Sequence, residues 1–374
     1  MKLESFIASD LKELNRKTVY GVLKNGEPIS RAKISRETGI SAPTVLKIID
    51  YFLSQGVVEE LGSRSGGNRV GRKPKLLRFN PNIMHAIGIK YDGYHLQIGL
   101  VNLASSVVFS MNRFIETDIS VFLEEYLPEC VSDLIEQSGI DGSSVSCLGL
   151  GLPGVVDPEL KRIDYAPFLL GSNNLFELKT HLDVLERKLG FPVVVANDAN
   201  SAVQGEFAAR NLEPHESLLY VELGRGLGAG LMLNGVLHKG AHSRAGELGY
   251  TVLDNMYQRN ENDPGWIEST MELTAFWAEI AEQGTPSRER QEKIVSLLSL
   301  AVTNICIMLD IDLVVVGSGS KYPFLASLVE DLQKEVDKKA IFEIRCETSA
   351  AANSGIIGSA VFAQELWLGD LFAG

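Results

Sequence analysis

The sequence is poor in cysteine, and its cysteines form no motif. Cys130, Cys147, Cys306 and Cys346 are isolated from one another along the chain. A disulfide framework or a four-thiolate metal site needs grouped cysteines, so this spacing argues against both and indicates reduced thiols. No apolar run approaches about 18 residues, so we expect no membrane span. The first 30 residues lack the apolar core of a secretion signal, and we therefore expect a cytoplasmic protein.

Positive charge is scarce in the whole chain but concentrated at one end. The 374 residues include 35 Lys and Arg against 48 Asp and Glu, a net charge of −13. Residues 1–80 hold 15 basic and 8 acidic residues, a net of +7, which leaves 20 against 40 for the remainder. A basic segment joined to an acidic body indicates a polyanion-binding domain attached to a unit with another task.

Helical periodicity and a tight turn predict a helix-turn-helix in the basic segment. Apolar residues, among them Leu11, Leu14 and Val22, recur at helical spacing from Ile7 to Leu23. A second helix is predicted from Arg31 to Thr38, ending at Gly39 where a left-handed residue is expected.

The third helix of this segment is the one predicted to enter DNA. Ser41 can cap it, and Pro43 fits its first turn because an amide there has no helical partner to lose. Its predicted buried stripe is Val45, Ile48, Ile49, Phe52 and Leu53. Lys47 and Tyr51 point away from the stripe. The predicted DNA-contacting residues of this helix are Ser41, Ala42, Pro43, Thr44 and Lys47.

Two strand-like runs at residues 57–61 and 75–79 predict a hairpin with a basic loop, Gly62 to Pro74, between them. Such a loop is a wing, whose cations can reach phosphates or a narrow minor groove. The predicted wing contacts are Arg64, Arg69, Arg72 and Lys73. The alternative is a small helical domain for protein contacts with a solvated basic loop.

Because one head offers few base contacts, DNA binding would require a homodimer or homotetramer on double-stranded operator DNA.

After Asn80-Pro81 the chain alternates between strand and helix patterns, and a similar order occurs twice. Strands are predicted at residues 83–91, 94–101, 107–114, 145–150 and 193–196, then at 217–223, 229–233 and 313–317. Helices are predicted at residues 121–137, 178–189, 267–282, 289–309 and 355–368. This repeated pattern predicts two α/β lobes that face a cleft, where small ligands bind.

Four short segments would line that cleft, namely residues 149–154, 196–200, 223–230 and 246–250. Gly-rich loops of this kind are singly weak signals. Together and in this order they resemble the ROK family, which groups sugar-responsive repressors with sugar kinases on an actin/hexokinase-like ATPase fold. The resemblance covers nearly the whole chain, and the head (residues 14–16, 39–41 and 71–74) resembles that of the repressor branch.

The resemblance implies an α/β chain with three units. These are a winged helix-turn-helix domain at 1–80, a first lobe at 81–197 completed by a C-terminal helix at 359–374, and a second lobe at 198–358. The implied sugar site consists of Gly154, Asn174, Asn197, Asp198, Glu247 and Tyr250. In family kinases the position of Asp198 is the base that deprotonates the attacking hydroxyl. Asp198 could instead only cap a helix, and Tyr250 could only pack.

The sequence departs from the kinase pattern where phosphate and metal would bind. Family kinases carry Asp-x-Gly-Gly-Thr in the first hairpin, and this chain has Lys90-Tyr91-Asp92-Gly93-Tyr94. Arg225 stands where the family has a small hydroxyl residue in the second phosphate loop. Tyr250 replaces the first zinc ligand, and residues 251–268 contain no Cys or His. We therefore expect no metal, no cofactor and no phosphoryl transfer, which depends on Mg²⁺ and positioning.

The leading interpretation is a sugar-responsive regulator of transcription, acting as a repressor, whose cleft has kept sugar recognition and lost catalysis. The alternatives are an active ATP-dependent sugar kinase with a fused DNA-binding domain, and a DNA-binding or scaffold protein with a vestigial cleft. Lys90, Arg225 and Arg244 could bring positive charge to the old phosphate pocket. Lys90 would then pair with Asp198, or the cleft would accept an anionic sugar derivative, unless all three cations point to solvent.

Overall fold

The computed structural model describes residues 8–61, 75–171, 175–259, 265–319 and 322–374. Within these residues the chain is mixed α/β, as predicted. It contains two five-stranded sheets, a three-stranded sheet near the N-terminus and a further small three-stranded sheet.

Within residues 8–61 and 75–80, the N-terminal unit, here called the head, has three helices and three short strands. They are α1 (Ala8–Lys24), β1 (Ile29–Ser30), α2 (Arg31–Thr38), α3 (Ala42–Ser54), β2 (Val58–Leu61) and β3 (Leu76–Phe79). The strands pair antiparallel in the order β1-β3-β2. The loop with the predicted wing contacts Arg64, Arg69, Arg72 and Lys73 lies outside the described residues.

Local chemistry accounts for the turn between α2 and α3. Gly39 follows α2 with φ +71°, a left-handed conformation that glycine adopts without steric cost. The Ser41 hydroxyl accepts a hydrogen bond from the Thr44 amide and caps α3. The predicted stripe is buried at Val45, Ile48, Ile49 and Phe52, whereas Leu53 is half-buried.

The buried faces of two helices in the head differ from what the apolar spacing alone indicates. Leu11 and Leu14 on α1 are 54% and 51% exposed. The buried side of α1 is instead formed by Arg16, Val19, Tyr20 and Leu23, because this side packs against the end of the C-terminal helix. Tyr51, predicted to face outward from α3, also turns to that helix, and its hydroxyl donates to the Leu371 carbonyl at 3.0 Å.

The first five-stranded sheet follows the head. Its elements in chain order are β4 (His85–Tyr91), β5 (His95–Asn102), β6 (Val107–Phe114), α4 (Ile119–Val121), a π-helical turn (Phe122–Tyr126), α5 (Leu127–Ser138), β7 (Val145–Leu152), β8 (Val155–Asp157), β9 (Arg162–Asp164), α6 (Pro167–Leu170), β10 (Leu175–Glu177), α7 (Lys179–Leu189) and β11 (Val193–Asn197). The sheet order is β11-β7-β4-β5-β6, and β8 to β10 form a small antiparallel sheet that the sequence did not predict.

The second five-stranded sheet has the same topology. Its elements are α8 (Asp198–Ala209), β12 (Leu218–Leu223), β13 (Leu227–Leu233), β14 (Val236–Leu237), α9 (Trp266–Met271), α10 (Leu273–Gln283), α11 (Arg288–Leu309), β15 (Leu313–Gly317), α12 (Phe324–Asp337), β16 (Arg345–Thr348) and α13 (Ser354–Ala373). Its order is β14-β13-β12-β15-β16. Each sheet thus begins with an antiparallel meander of three strands and adds two parallel strands, so the repeated order seen in the sequence is a repeat of topology.

The last helix, α13, touches both the first sheet and the head. Glycines let it lie close to the strands, because a Cβ on Gly88 or Gly149 would be within 2 Å of its backbone carbonyls. Two described helices, α11 and α13, are long and apolar enough to cross a bilayer by length and composition. This is weak evidence, since a helix in a protein core meets the same criteria and about half of the apolar window of each is buried inside the protein.

Candidate ligand-binding cleft

The polar residues of the predicted sugar site lie where strands of the first sheet end. β7 and β11 are parallel neighbours, so their carboxyl ends meet at one edge of the sheet, the usual position of a ligand site in α/β folds. Asn197 ends β11, and its Nδ2 donates to the Gly154 carbonyl at 2.8 Å. Gly154 has φ +90°, and a Cβ there would come within 2.6 Å of the Ala166 side chain. The loop after β7 therefore requires glycine and is tied to Asn197.

Asp198 is the first residue of α8, and it is not the cap of that helix. The cap is Asn197, whose Oδ1 accepts from the Asn200 amide at 2.9 Å. The Asp198 carboxylate accepts from the Ala199 amide at 2.9 Å. Burial raises the pKa of Asp198, and the nearby Lys90 ammonium offsets this only in part. The interpretation of Asp198 as a helix cap was therefore wrong.

The second lobe contributes a tight segment that carries Glu247 and Tyr250. Gly246 has φ +92°, and a Cβ there would lie 2.0 Å from the Ala229 carbonyl of β13. Burial raises the pKa of Glu247, and the charges of Asp198 and Glu268 raise it further. The Arg259 guanidinium lies over the Tyr250 ring, with its Cζ 5.3 Å from the ring centroid.

Glu268 is a third partly buried carboxylate beside Asp198 and Glu247, and sequence reasoning missed it. We call these three carboxylates the acidic wall. It lies on α9, and its Oε2 accepts from the Leu227 amide at 3.1 Å. Burial raises its pKa, although the amide hydrogen bond acts in the opposite direction. Asp198, Glu247 and Glu268 thus come from three separate segments, and the charges of Asp198 and Glu268 both act on Glu247. Asn174 lies outside the described residues.

On the other side of the cleft, the Lys90 ammonium is bound by a carboxylate of the opposite lobe. Its Nζ lies 2.7 Å from Glu222 Oε1, and both side chains are nearly buried. Glu222 also accepts from the Tyr220 hydroxyl at 2.9 Å. Burial alone would lower the pKa of Lys90, but the charges of Glu222, Asp198 and Asp92 outweigh it, so the pKa is raised and the ammonium stays charged.

These contacts correct the prediction for Lys90. Its direct ion pair among the described residues is with Glu222, whereas Asp198 acts on Lys90 only through its charge, which helps to raise the pKa of Lys90. The alternative that Lys90 points to solvent was wrong, because its side chain is 12% exposed. The signal that could have revealed Glu222 is a lone acid in the otherwise apolar strand Leu218–Leu223. Arg244, by contrast, is exposed, although its charge influences Glu247.

Two further contacts join the lobes beside Lys90. The Arg225 guanidinium lies over the ring of Tyr94, with Cζ 4.5 Å from the ring centroid. Gln97 Nε2 donates to the Gly319 carbonyl at 3.0 Å. Lys90, Tyr94 and Gln97 belong to β4, β5 and the turn between them, whereas their three partners belong to the second lobe. We call these three pairs the cross-lobe contacts.

Comparisons with known proteins agree with the fold and the family. Residues 86–265 match the model of the ROK family, the family that the sequence resembled. The chain is 31% identical over 255 residues to the xylose repressor of Caldicellulosiruptor bescii, covering 65% of this chain and 60% of that protein. It is 25% identical over 250 residues to the DNA-binding transcriptional dual regulator NagC of Escherichia coli, covering 67% and 60%. The chain therefore spans about 60% of the length of the curated relatives it matches.

Solved structures support the fold alone, because their sequence identities are low. A ROK family transcriptional regulator, a homologue of the E. coli MLC protein, matches 96% of this chain and 98% of its own, with a TM-score of 0.75 and 18% identity. A ROK family glucokinase from Streptomyces griseus, solved with glucose and AMPPNP, matches 75% of this chain and 99% of its own, with a TM-score of 0.56 and 19% identity. The predicted combination of a head with a hexokinase-like body is thereby confirmed.

Proposed function

We propose that this chain, which carries a ROK family domain, is a sugar-responsive transcriptional repressor that binds double-stranded operator DNA and does not phosphorylate its sugar. Support for regulation comes from relatives named as repressors and from the helix-turn-helix geometry of the head. We further propose a cytoplasmic homodimer or homotetramer, because one recognition helix covers too little DNA for specific binding.

The observation that carries the loss of catalysis is the ion pair between Lys90 and Glu222. A kinase needs Mg²⁺ and positioned phosphates between its lobes, since phosphoryl transfer depends on charge neutralisation and alignment. In this chain the hairpin of β4 and β5 carries the charged ammonium of Lys90. The three cross-lobe contacts join this hairpin to the second lobe. The chain's own residues thus take over a bridging role that ATP and metal would otherwise have.

The effector site would consist of Gly154, Asn197, Asp198, Glu247 and Tyr250. Carboxylates and amides can each bind adjacent hydroxyl groups in a fixed orientation, which suits a sugar or polyol. The pKa values of Asp198 and Glu247 are raised by burial and by nearby acids. An anionic ligand would meet this excess of negative charge, so we infer a neutral, hydroxyl-rich effector.

Helix α13 provides a route from the cleft to the head. Near its start, a Cβ on Gly355 would lie 2.8 Å from Lys90 Cδ. Near its end, the Leu371 carbonyl accepts from the Tyr51 hydroxyl of α3, and the Phe372 ring packs edge-on against Tyr20 of α1. At 1.5 Å per residue these two ends are about 25 Å apart along one rigid helix. An effector that changes the angle between the lobes would move this helix and the head with it.

The kinase alternative predicts sugar-dependent release of ADP. We expect the purified chain, given Mg²⁺-ATP with D-glucose, D-xylose or N-acetylglucosamine, to release ADP at the same rate as its Asp198→Ala variant. An active ROK family glucokinase is the positive control for the assay. Sugar-dependent turnover in the wild type that is absent from the Asp198→Ala variant would contradict the proposed loss of catalysis.

A further inference from the structure

The exposed face of α3 has few of the side chains that usually read base edges by hydrogen bonds. No Arg, Asn or Gln occurs between Ser41 and Asp50. Of the residue types that make bidentate contacts to guanine and adenine in the major groove, only one lysine, Lys47, occurs in this stretch. If this face meets DNA, as the proposed function requires, part of its selectivity must come from other groups.

The short hydroxyls of α3 are already engaged with each other. Ser41 Oγ lies 2.9 Å from Thr44 Oγ1 and also accepts from the Thr44 amide. Asp50, farther along the helix, lies 3.5 Å from an Arg31 nitrogen that also contacts Glu60 at 2.8 Å. An acid in this position has no attraction for a phosphate. Lys47 is exposed, and its ammonium is a point charge that suits phosphates or guanine acceptors.

Apart from Lys47, the side chains that remain on this face are apolar. Leu46 is 47% exposed, and it lies one helical turn after Ala42 and Pro43, which are also exposed. The core side of the helix is formed by Val45, Ile48, Ile49 and Phe52, and Leu46 does not belong to this core. Its exposure leaves a bare apolar group beside Lys47.

We propose that Leu46, with Ala42 and Pro43, reads thymine by contact with the C5-methyl group. Thymine alone among the four bases presents a methyl group in the major groove, and apolar side chains recognise it by burial. Each half-site of the preferred duplex would then contain at least one thymine whose methyl group meets Leu46. This inference rests on the proposed DNA-binding function and assigns a specificity-determining residue within it.

The test begins with selection of preferred duplexes from a random pool by the full-length chain. Each thymine of the selected half-site is then replaced by deoxyuridine, which removes only the methyl group. We expect one or two of these replacements to weaken wild-type binding about fourfold per methyl, the effect of losing one buried methyl-sized group. The same replacements should leave the affinity of the Leu46→Ala variant unchanged.

A matched control is Leu366→Ala, since Leu366 is a leucine of similar exposure, 46%, on α13. This variant should retain the wild-type response to deoxyuridine. Equal deoxyuridine effects in the wild type and the Leu46→Ala variant would overturn the assignment of Leu46, as would no effect in either. Failure to enrich any sequence would instead overturn the proposed DNA-binding function.

Discussion

At the scale of single residues, the cleft brings carboxylates together at a cost in stability. Burial raises the pKa of Glu247, and the charges of Asp198 and Glu268 add to it. An acid with a raised pKa binds its proton more tightly in the folded state. In the unfolded chain the pKa of Glu247 is near 4.5, and in the folded chain it is higher. The free energy of unfolding therefore falls as the pH rises through these two pKa values, and the loss is complete above the higher one.

We expect Glu247→Gln to increase the free energy of unfolding at pH 7 by about 1 kcal/mol, the usual size of a single-substitution effect. The substitution keeps the size of the side chain and removes its charge. The gain should shrink as the pH approaches 4.5, where the unfolded chain also protonates this group. Guanidinium unfolding followed at pH 7 and at pH 5 measures both effects.

Glu335 on α12 supplies a control of opposite sign. Hydrogen bonds from Lys338 and Lys339 lower the pKa of Glu335 to about 2. Its charge therefore favours the folded state at neutral pH, and Glu335→Gln should decrease stability there. If the free energy of unfolding changed with pH in the same way in the Glu247→Gln and Glu335→Gln variants, the raised pKa of Glu247 would be contradicted.

Part of the cleft could be predicted residue by residue, and part could not. Asn197, Asp198 and Glu247 stand in short motifs whose order along the chain is specific. The partner of Lys90 was missed because Glu222 lies 132 residues away and belongs to a strand without a motif. Lys90 and Glu222 come together only when the two lobes face each other, so their pairing depends on the tertiary structure.

At the scale of elements, two glycines of the head have opposite effects on its stability. Gly21 lies inside α1, and a Cβ there would meet nothing within 4 Å. Gly39 ends α2 with φ +71°, and its Cβ would also meet nothing within 4 Å. Because neither position is crowded, the effect of an alanine substitution on stability reports only how well alanine adopts the backbone conformation there, helical at Gly21 and left-handed at Gly39.

We expect Gly21→Ala to stabilise the head by about 0.5–1 kcal/mol, because glycine is costly in a helix interior. Gly39→Ala should destabilise it by about 1–2 kcal/mol, because alanine is disfavoured in the left-handed region. Hydrogen exchange of α2 and α3 amides measures both shifts in the intact chain. A Gly39→Asn variant should lose less than Gly39→Ala, and equal losses would contradict the role of the turn.

The elements that sequence predicted well are those with local signals. The bounds of α2 follow from Ser30 and Gly39, which cap its two ends. The predicted helix at 267–282 proved to be two helices, α9 and α10, separated at Glu272 with φ +54°. A glutamate in the left-handed region has no sequence signature, since asparagine or glycine is usual there. Strands β8 to β10 have three residues each, too few to show a period.

At the scale of the whole molecule, α13 and the cross-lobe contacts connect the head and the two lobes. The sequence predicted these three units but not the contacts between them. The repeated strand order predicted two lobes, and the charge pattern predicted a separate head. Neither pattern contains the contacts of Arg16 and Tyr51 with the end of α13, which joins head and body. These contacts link residues more than 300 positions apart, so they depend on the completed fold. The residue boundaries of the three units stay a prediction.

The most direct test of the account is the affinity of the chain for its selected duplex, measured by fluorescence anisotropy with and without a saturating neutral sugar that stabilises the protein against heat. The coupling free energy between two linked binding sites is typically about 1–3 kcal/mol, so we predict that the sugar changes the Kd for the duplex at least fivefold. The duplex should change the affinity for the sugar by the same factor. The Asp198→Ala variant should bind the duplex and ignore the sugar. A duplex affinity that is identical with and without the bound sugar would contradict the account.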